Sequence, residues 1–202
     1  LVHVNFGTLL GKDGTPIKTR SGSLIGLESL LNDAVDRARQ VVCNPERLTI
    51  FDPPMTEQEQ QQVAEVVGIG AIKFADLSHH RTSDYRFDLE KMVALEGNTS
   101  AYVQYSYTRT QSILRRAGTT EEEVARLDVQ SPLQLTHPAE RGLALKLLRL
   151  EEALGAVHQD YAPNQLVDYL LDTAKAYSVF NDNCHVLRAE TDQIRATRLT
   201  LV

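Results

Sequence analysis

The feature that most constrains this chain is a change of pattern at Thr99, after which strand signals vanish and helix punctuation takes over. Tyr102 to Ala117 reads as a helix by length. Thr120-Glu121-Glu122-Glu123 has the spacing of a capping box, in which a hydroxyl and a carboxylate three residues apart satisfy free amides at a helix start. Pro138 suits the first turn of a helix through Leu154, and Pro163 that of a helix through Phe180, since the amide that proline lacks has no helical partner there. Leu166, Leu170, Ala174 and Tyr177 form the expected core stripe of the latter. A last helix is expected from about Thr191, with Leu199, Leu201 and Val202 left unpaired. That apolar end, and an opening without methionine inside a β-rich pattern, lead us to expect a piece of a larger protein.

The first half reads differently. Residues 2–10 are rich in β-formers, and Gly11-Lys12-Asp13-Gly14 supplies a turn, so a hairpin is expected. Leu27, Leu30, Leu31, Val35 and Ala38 keep one helical stripe, predicting a helix to about Val42. Thr49-Ile50-Phe51 reads as a short extended segment broken by Asp52-Pro53-Pro54, which marks the first boundary. Thr56-Glu57-Gln58-Glu59 is another capping box, predicting a helix to about Val67. Gly68-Ile69-Gly70 then separates it from a second apolar segment, Ala71 to Leu77, and Tyr85-Arg86-Phe87-Asp88 reads as a strand. The fold class is therefore mixed: a short α/β part over 1–56, a compact connector over 57–94, and an all-α helical bundle over 95–202.

Composition narrows the partners. With 42% hydrophobic and 24% charged residues this is ordinary globular protein, and no run approaches the ~20 apolar residues that span a bilayer, so no membrane partner and a cytoplasmic setting are expected. A net charge of −6 excludes a broadly basic, indiscriminate nucleic-acid binder but leaves room for a local basic face, because Arg109, Arg115 and Arg116 fall together. Cys43 and Cys184 are far apart and outside any CxxC or Cys/His array, so both are expected to be reduced, buried small residues.

Three constellations could carry chemistry. Lys18-Thr19-Arg20-Ser21-Gly22 places two cations and two hydroxyls on a glycine-flanked loop, which reads either as a solvated turn or as a polyphosphate cradle. On the helix after Thr99, Tyr102, Tyr105, Arg109 and Arg116 fall within ~60° of one another, while Val103, Tyr107 and Leu114 form a separate stripe more than ~100° away. The first face offers rings and guanidinium groups to RNA, or else interior rings with solvated arginines. His79-His80 with Asp76 and Asp84 reads as a polar surface loop, since adjacent histidines diverge and cannot share a metal; no metal site is expected.

Read in order, the motifs resemble those of the arginyl-tRNA synthetase family: Phe6-Gly7 with Lys18 to Gly22, Gly70-Ala71-Ile72-Lys73-Phe74, Tyr85-Arg86-Phe87-Asp88, Gly97-Asn98-Thr99, and Tyr102 through Arg109. Asp192 to Leu199 is similar to the DALR signature of that family's anticodon-binding domain. The resemblance implies that residues 1–56 are the tail of a Rossmann-type class I catalytic domain, with KTRSG in place of the KMSKS loop. It implies that 57–94 contact the tRNA stem side and that 95–202 form an incomplete DALR-type anticodon-binding bundle. Lys18 and Arg20 would contact the ATP phosphates, with Thr19, Ser21 and Gly22 shaping the loop, and ATP with Mg2+, L-arginine and tRNA(Arg) would be partners of the whole enzyme, a monomer. Tyr102, Tyr105, Arg109, Arg116, Asn181 and His185 would meet the RNA, although Asn181 stands where relatives often carry an aromatic ring, and Ala101 replaces the usual proline. No HxGH element occurs in the 202 residues, so this chain alone is expected not to activate arginine; the alternative is a stand-alone RNA-binding or protein-interaction module derived from a synthetase.

Overall fold

The computed structural model describes residues 2–11, 13–16, 26–44, 48, 53–95, 97–126 and 132–202. The KTRSG loop and Thr49 to Phe51 therefore lie outside the described residues. The chain divides into two compact units, Leu1–Tyr102 with Asp160–Val167, and Val103–Gln159 with Asp168–Val202.

In the first unit, β1 (Leu9–Leu10) pairs in parallel with β2 (Tyr85–Arg86), with Leu9 opposite Tyr85. The hairpin expected after residue 10 survives as a single antiparallel bridge from Leu10 to Pro16, closed by a Gly14 amide donating to the Gly11 carbonyl at 2.9 Å. Tyr85 to Asp88 shortens to two strand residues because Asp88 caps the next helix, α3 (Leu89–Met92), its side chain accepting from the Lys91 amide at 3.4 Å.

The helix α1 (Leu27–Val42) starts and ends where its stripe predicts, with Ala34 and Ala38 fully buried. The helix α2 (Glu57–Ser78) opens on the expected capping box, with the Thr56 amide donating to Glu59 at 2.7 Å. It then runs 22 residues without a break, correcting the expected stop at Val67. Gly68 is no helix breaker here: a Cβ at that position would lie 2.6 Å from the Ala34 carbonyl oxygen and 2.8 Å from the Val35 Cα. The glycine lets two backbones touch, and Ala64 and Ala71, one turn to either side, continue the small-residue seam.

Helix α4 (Ser100–Ala117) belongs to both units, and α5 (Glu121–Ala125) follows with the predicted box, the Thr120 side chain accepting from the Glu123 amide. The single helix expected from Pro138 to Leu154 is two, α6 (Pro138–Leu147) and α7 (Leu150–Asp160). An i to i+3 bond from the Arg149 amide to the Lys146 carbonyl tightens the chain between them without any glycine or proline.

The second unit is completed by α8 (Asn164–Asn183) from residue 168 and by α9 (Asp192–Thr200). Its core cluster is Leu143, Tyr177, Phe180, Cys184, Val186 and Leu201. Two expectations need correction. Leu170 is exposed and Leu166 half-buried, the buried stripe of α8 running instead through Val167, Leu171, Ala174, Tyr177 and Phe180. Leu201 is buried, and Leu199 and Val202 pack against the cluster, so the terminal apolar residues are partnered. Cys184 is buried as expected, with burial foremost, then Glu140, raising its thiol, whereas Cys43 is only half-buried.

Candidate functional site

Helix α4 and the end of α8 together carry most of the residues singled out for RNA contact. Tyr105 is exposed, and the Arg109 guanidinium lies 5.5 Å from its ring centre, a cation–π distance. The same guanidinium reaches Asp182 on α8 at 3.5 Å. Beneath them Tyr177 is buried in the core, and burial, with a smaller contribution from Tyr105, pushes its phenol up to about 12 against the opposing pull of Arg109. Arg109 is thus backed by a ring and faced by a carboxylate, and is not a freely solvated cation.

Arg116, Asn181 and His185 converge on one cleft of about 510 Å3, which is also lined by Ile113, Asp182 and Arg188. That volume is in the range of ordinary ligand pockets. Tyr102, by contrast, is half-buried at the limit of the first unit and is not part of this cleft. The expected Val103/Tyr107/Leu114 stripe holds only at Leu114: Tyr107 is exposed and Val103 half-buried. Ile113 takes the vacant place against the core, and it lies ~100° from Leu114, so the buried face adjoins the Tyr/Arg face rather than opposing it.

A buried ion pair holds one wall of the cleft. Arg198 Nε donates to Glu140 Oε1 at 2.7 Å and its Nη1 to the His185 carbonyl at 3.0 Å, with both side chains almost wholly enclosed. Glu140 Oε2 accepts from the His137 amide at 2.9 Å and the Thr136 hydroxyl at 3.3 Å, and His137 Nδ1 accepts from the Ala139 amide at 3.2 Å. Burial works to raise the Glu140 carboxyl, but the His137 amide and Arg198 outweigh it and hold the group below the ordinary glutamate value. Beside Arg198, Thr197 accepts from the Gln134 amide at 3.0 Å, so the Asp192 to Leu199 segment turns Thr197 and Arg198 inward.

In the first unit, His79 stacks on Tyr85 with ring centres 4.4 Å apart, and the Tyr85 hydroxyl donates to Asp76 at 2.8 Å. Burial, with Asp76, raises that phenol. His79 therefore has a packing role that the adjacent-histidine pattern did not reveal. Arg81 donates to the Asn5 carbonyl at 2.7 Å and Asp84 accepts from the Thr8 amide at 2.6 Å, fixing the segment that enters β1. Among the described residues no group of three histidine, cysteine, aspartate or glutamate side chains could hold a metal, and no helix is long and apolar enough to cross a membrane.

Sequence reasoning missed Asp182, Arg188, Glu140 and the pairing of Arg198. Asp182 and Arg188 are isolated charges beside a helix end, with no spacing to mark them. Glu140 and Arg198 are 58 residues apart.

These features match known proteins over the whole chain. Residues 1–89 match the class I (R) tRNA synthetase catalytic domain, and residues 103–202 match the DALR anticodon binding domain. The chain is thus a class I synthetase segment followed by a DALR domain. It is 64% identical to an arginine–tRNA ligase of Rhodopirellula baltica and 45% identical to one of Cronobacter sakazakii, in each case over all of this chain and 31% and 33% of the relative. The solved arginyl-tRNA synthetases of Thermus thermophilus and Plasmodium falciparum superpose with TM-scores of 0.79 and 0.76 at 28% and 26% identity, covering 98% of this chain and 31% of each of theirs. The chain belongs to the arginyl-tRNA synthetase family, and it spans about a third of the length of the curated relatives it matches.

Proposed function

We propose that these residues form the RNA-holding part of an enzyme that joins L-arginine to tRNA(Arg) with ATP, releasing AMP and diphosphate. The observation that carries this reading is the convergence of Arg116, Asn181 and His185 on one cleft inside a stretch that matches a DALR domain. Arginines beside a wall that offers an amide and an imidazole suit RNA, since guanidinium groups neutralise phosphates while the amide and the ring nitrogens meet base edges. Tyr105 adds an exposed ring for stacking, stiffened by Arg109, and Tyr102 lies one turn earlier on the same helix.

In this reading Lys18 and Arg20 neutralise the ATP phosphates, with Thr19, Ser21 and Gly22 shaping the loop, and ATP arrives with Mg2+. Residues 1–56 belong to the catalytic domain, 57–94 lie along the tRNA stem, and 95–202 meet the anticodon arm. The enzyme works as a cytoplasmic monomer. Filter-binding titration of the whole protein with tRNA(Arg) and with other tRNAs tests it: selective retention of tRNA(Arg) is expected, and equal or absent binding of all of them overturns it.

A further inference from the structure

Asp182 is a carboxylate at the helix end that disfavours one. It occupies the last turn of α8, and that turn carries no basic residue. It lines the cleft that also holds Arg116, His185 and Arg188, and among the described lining residues it alone is acidic. An anionic ligand entering that cleft must meet it.

Its partner explains the arrangement. The Arg109 side chain is 28% exposed and backed by the Tyr105 ring, whereas the Asp182 side chain is 61% exposed and touches it with one contact at 3.5 Å. The guanidinium is the fixed member and the carboxylate the wet, displaceable one. A single long contact in water is a weak ion pair, while a phosphate can take a guanidinium with two parallel hydrogen bonds. The carboxylate therefore sits on Arg109 as a stand-in for a phosphate.

We propose that Asp182 is a specificity-determining residue: it holds Arg109 occupied and repels RNA from the cleft, so that only an RNA whose bases are also engaged by the cleft displaces it. This deepens, and rests on, the RNA-holding role given above. The repulsion is unequal: an RNA held only through its phosphates meets the carboxylate directly, whereas one whose bases fill the cleft can donate a base N–H to it, and that difference is the discrimination.

The test compares wild type, Asp182→Asn, Arg109→Gln and the double variant in filter binding to tRNA(Arg) and to one non-cognate tRNA between 50 and 200 mM salt. Asp182→Asn is expected to tighten non-cognate binding by about three- to tenfold and cognate binding by less. It should also steepen the non-cognate salt dependence by roughly one unit of slope, as one more phosphate contact forms. In the Arg109→Gln background the Asp182 substitution should lose most of its effect. Weaker binding by Asp182→Asn, an unchanged cognate preference, or an equal effect without Arg109 overturns the proposal. Wild-type protein that retains no tRNA overturns the RNA-holding role itself, an outcome distinct from these.

Discussion

The two units solve helix packing by opposite means. In the first, α1 and α2 meet through Ala34, Ala38, Ala64, Gly68 and Ala71, so that backbone lies against backbone. In the second, Phe180, Tyr177, Leu143 and Leu201 fill the interior with large side chains, and a buried Glu140–Arg198 pair spans α6 and α9. The first strategy fixes distance and is intolerant of any added atom. The second fixes orientation and is intolerant of a lost partner. The unit that carries the cleft uses the second.

Removing a partner is therefore the sharpest way to test the contrast. Arg198→Met should lower stability by about 3–5 kcal/mol, because Glu140 would remain buried without its counter-charge. A urea titration checks it, and a loss below about 1 kcal/mol would break the comparison. The same carboxylate sets an acid limit. Its folded value is depressed, so its contribution is present above the ordinary glutamate range and disappears as pH falls through the lowered value. Urea midpoints measured down the acid range should fall more gently in Glu140→Gln than in wild type, although the variant starts lower.

Adding an atom tests the other side. Glycine to alanine inside a helix ordinarily gains up to about 1 kcal/mol. At Gly68 the sign should reverse, with a loss of about 1–3 kcal/mol as the new methyl meets the Ala34 backbone. A thermal melt that shows stabilisation would mean that the seam can open.

The smallest effect compares the two threonine boxes. Thr56→Ala and Thr120→Ala each remove a cap worth about 1 kcal/mol. The 22-residue α2 should keep its helical signal, whereas the five-residue α5 should lose protection of its amides to hydrogen exchange.

The sequence made both caps, Pro138 and the span of α4 legible, because their signals are local and depend on spacing alone. Gly68 misled for the opposite reason: whether a glycine breaks a helix or admits a neighbour depends on what faces it, here a residue 34 positions earlier. The break at Leu148 left no trace, since a tightened turn needs neither glycine nor proline. Of the site, Arg116 is legible from helical spacing and Asn181 and His185 from the resemblance, and the cleft they share exists only in three dimensions. Asp182 could not be found, because a lone carboxylate acquires meaning only from the guanidinium 73 residues away.

The start of α6 is tied to the wall of the cleft. Its first turn is capped by an imidazole, His137 Nδ1 accepting from the Ala139 amide. An imidazole nitrogen thus fills the place that a threonine hydroxyl takes at the start of α2 and α5. Because the amide of His137 also feeds Glu140, and Glu140 holds Arg198 against the His185 carbonyl, the cap of a helix is linked by four consecutive contacts to the wall of the cleft, so a substitution at His137 reaches residues it does not touch.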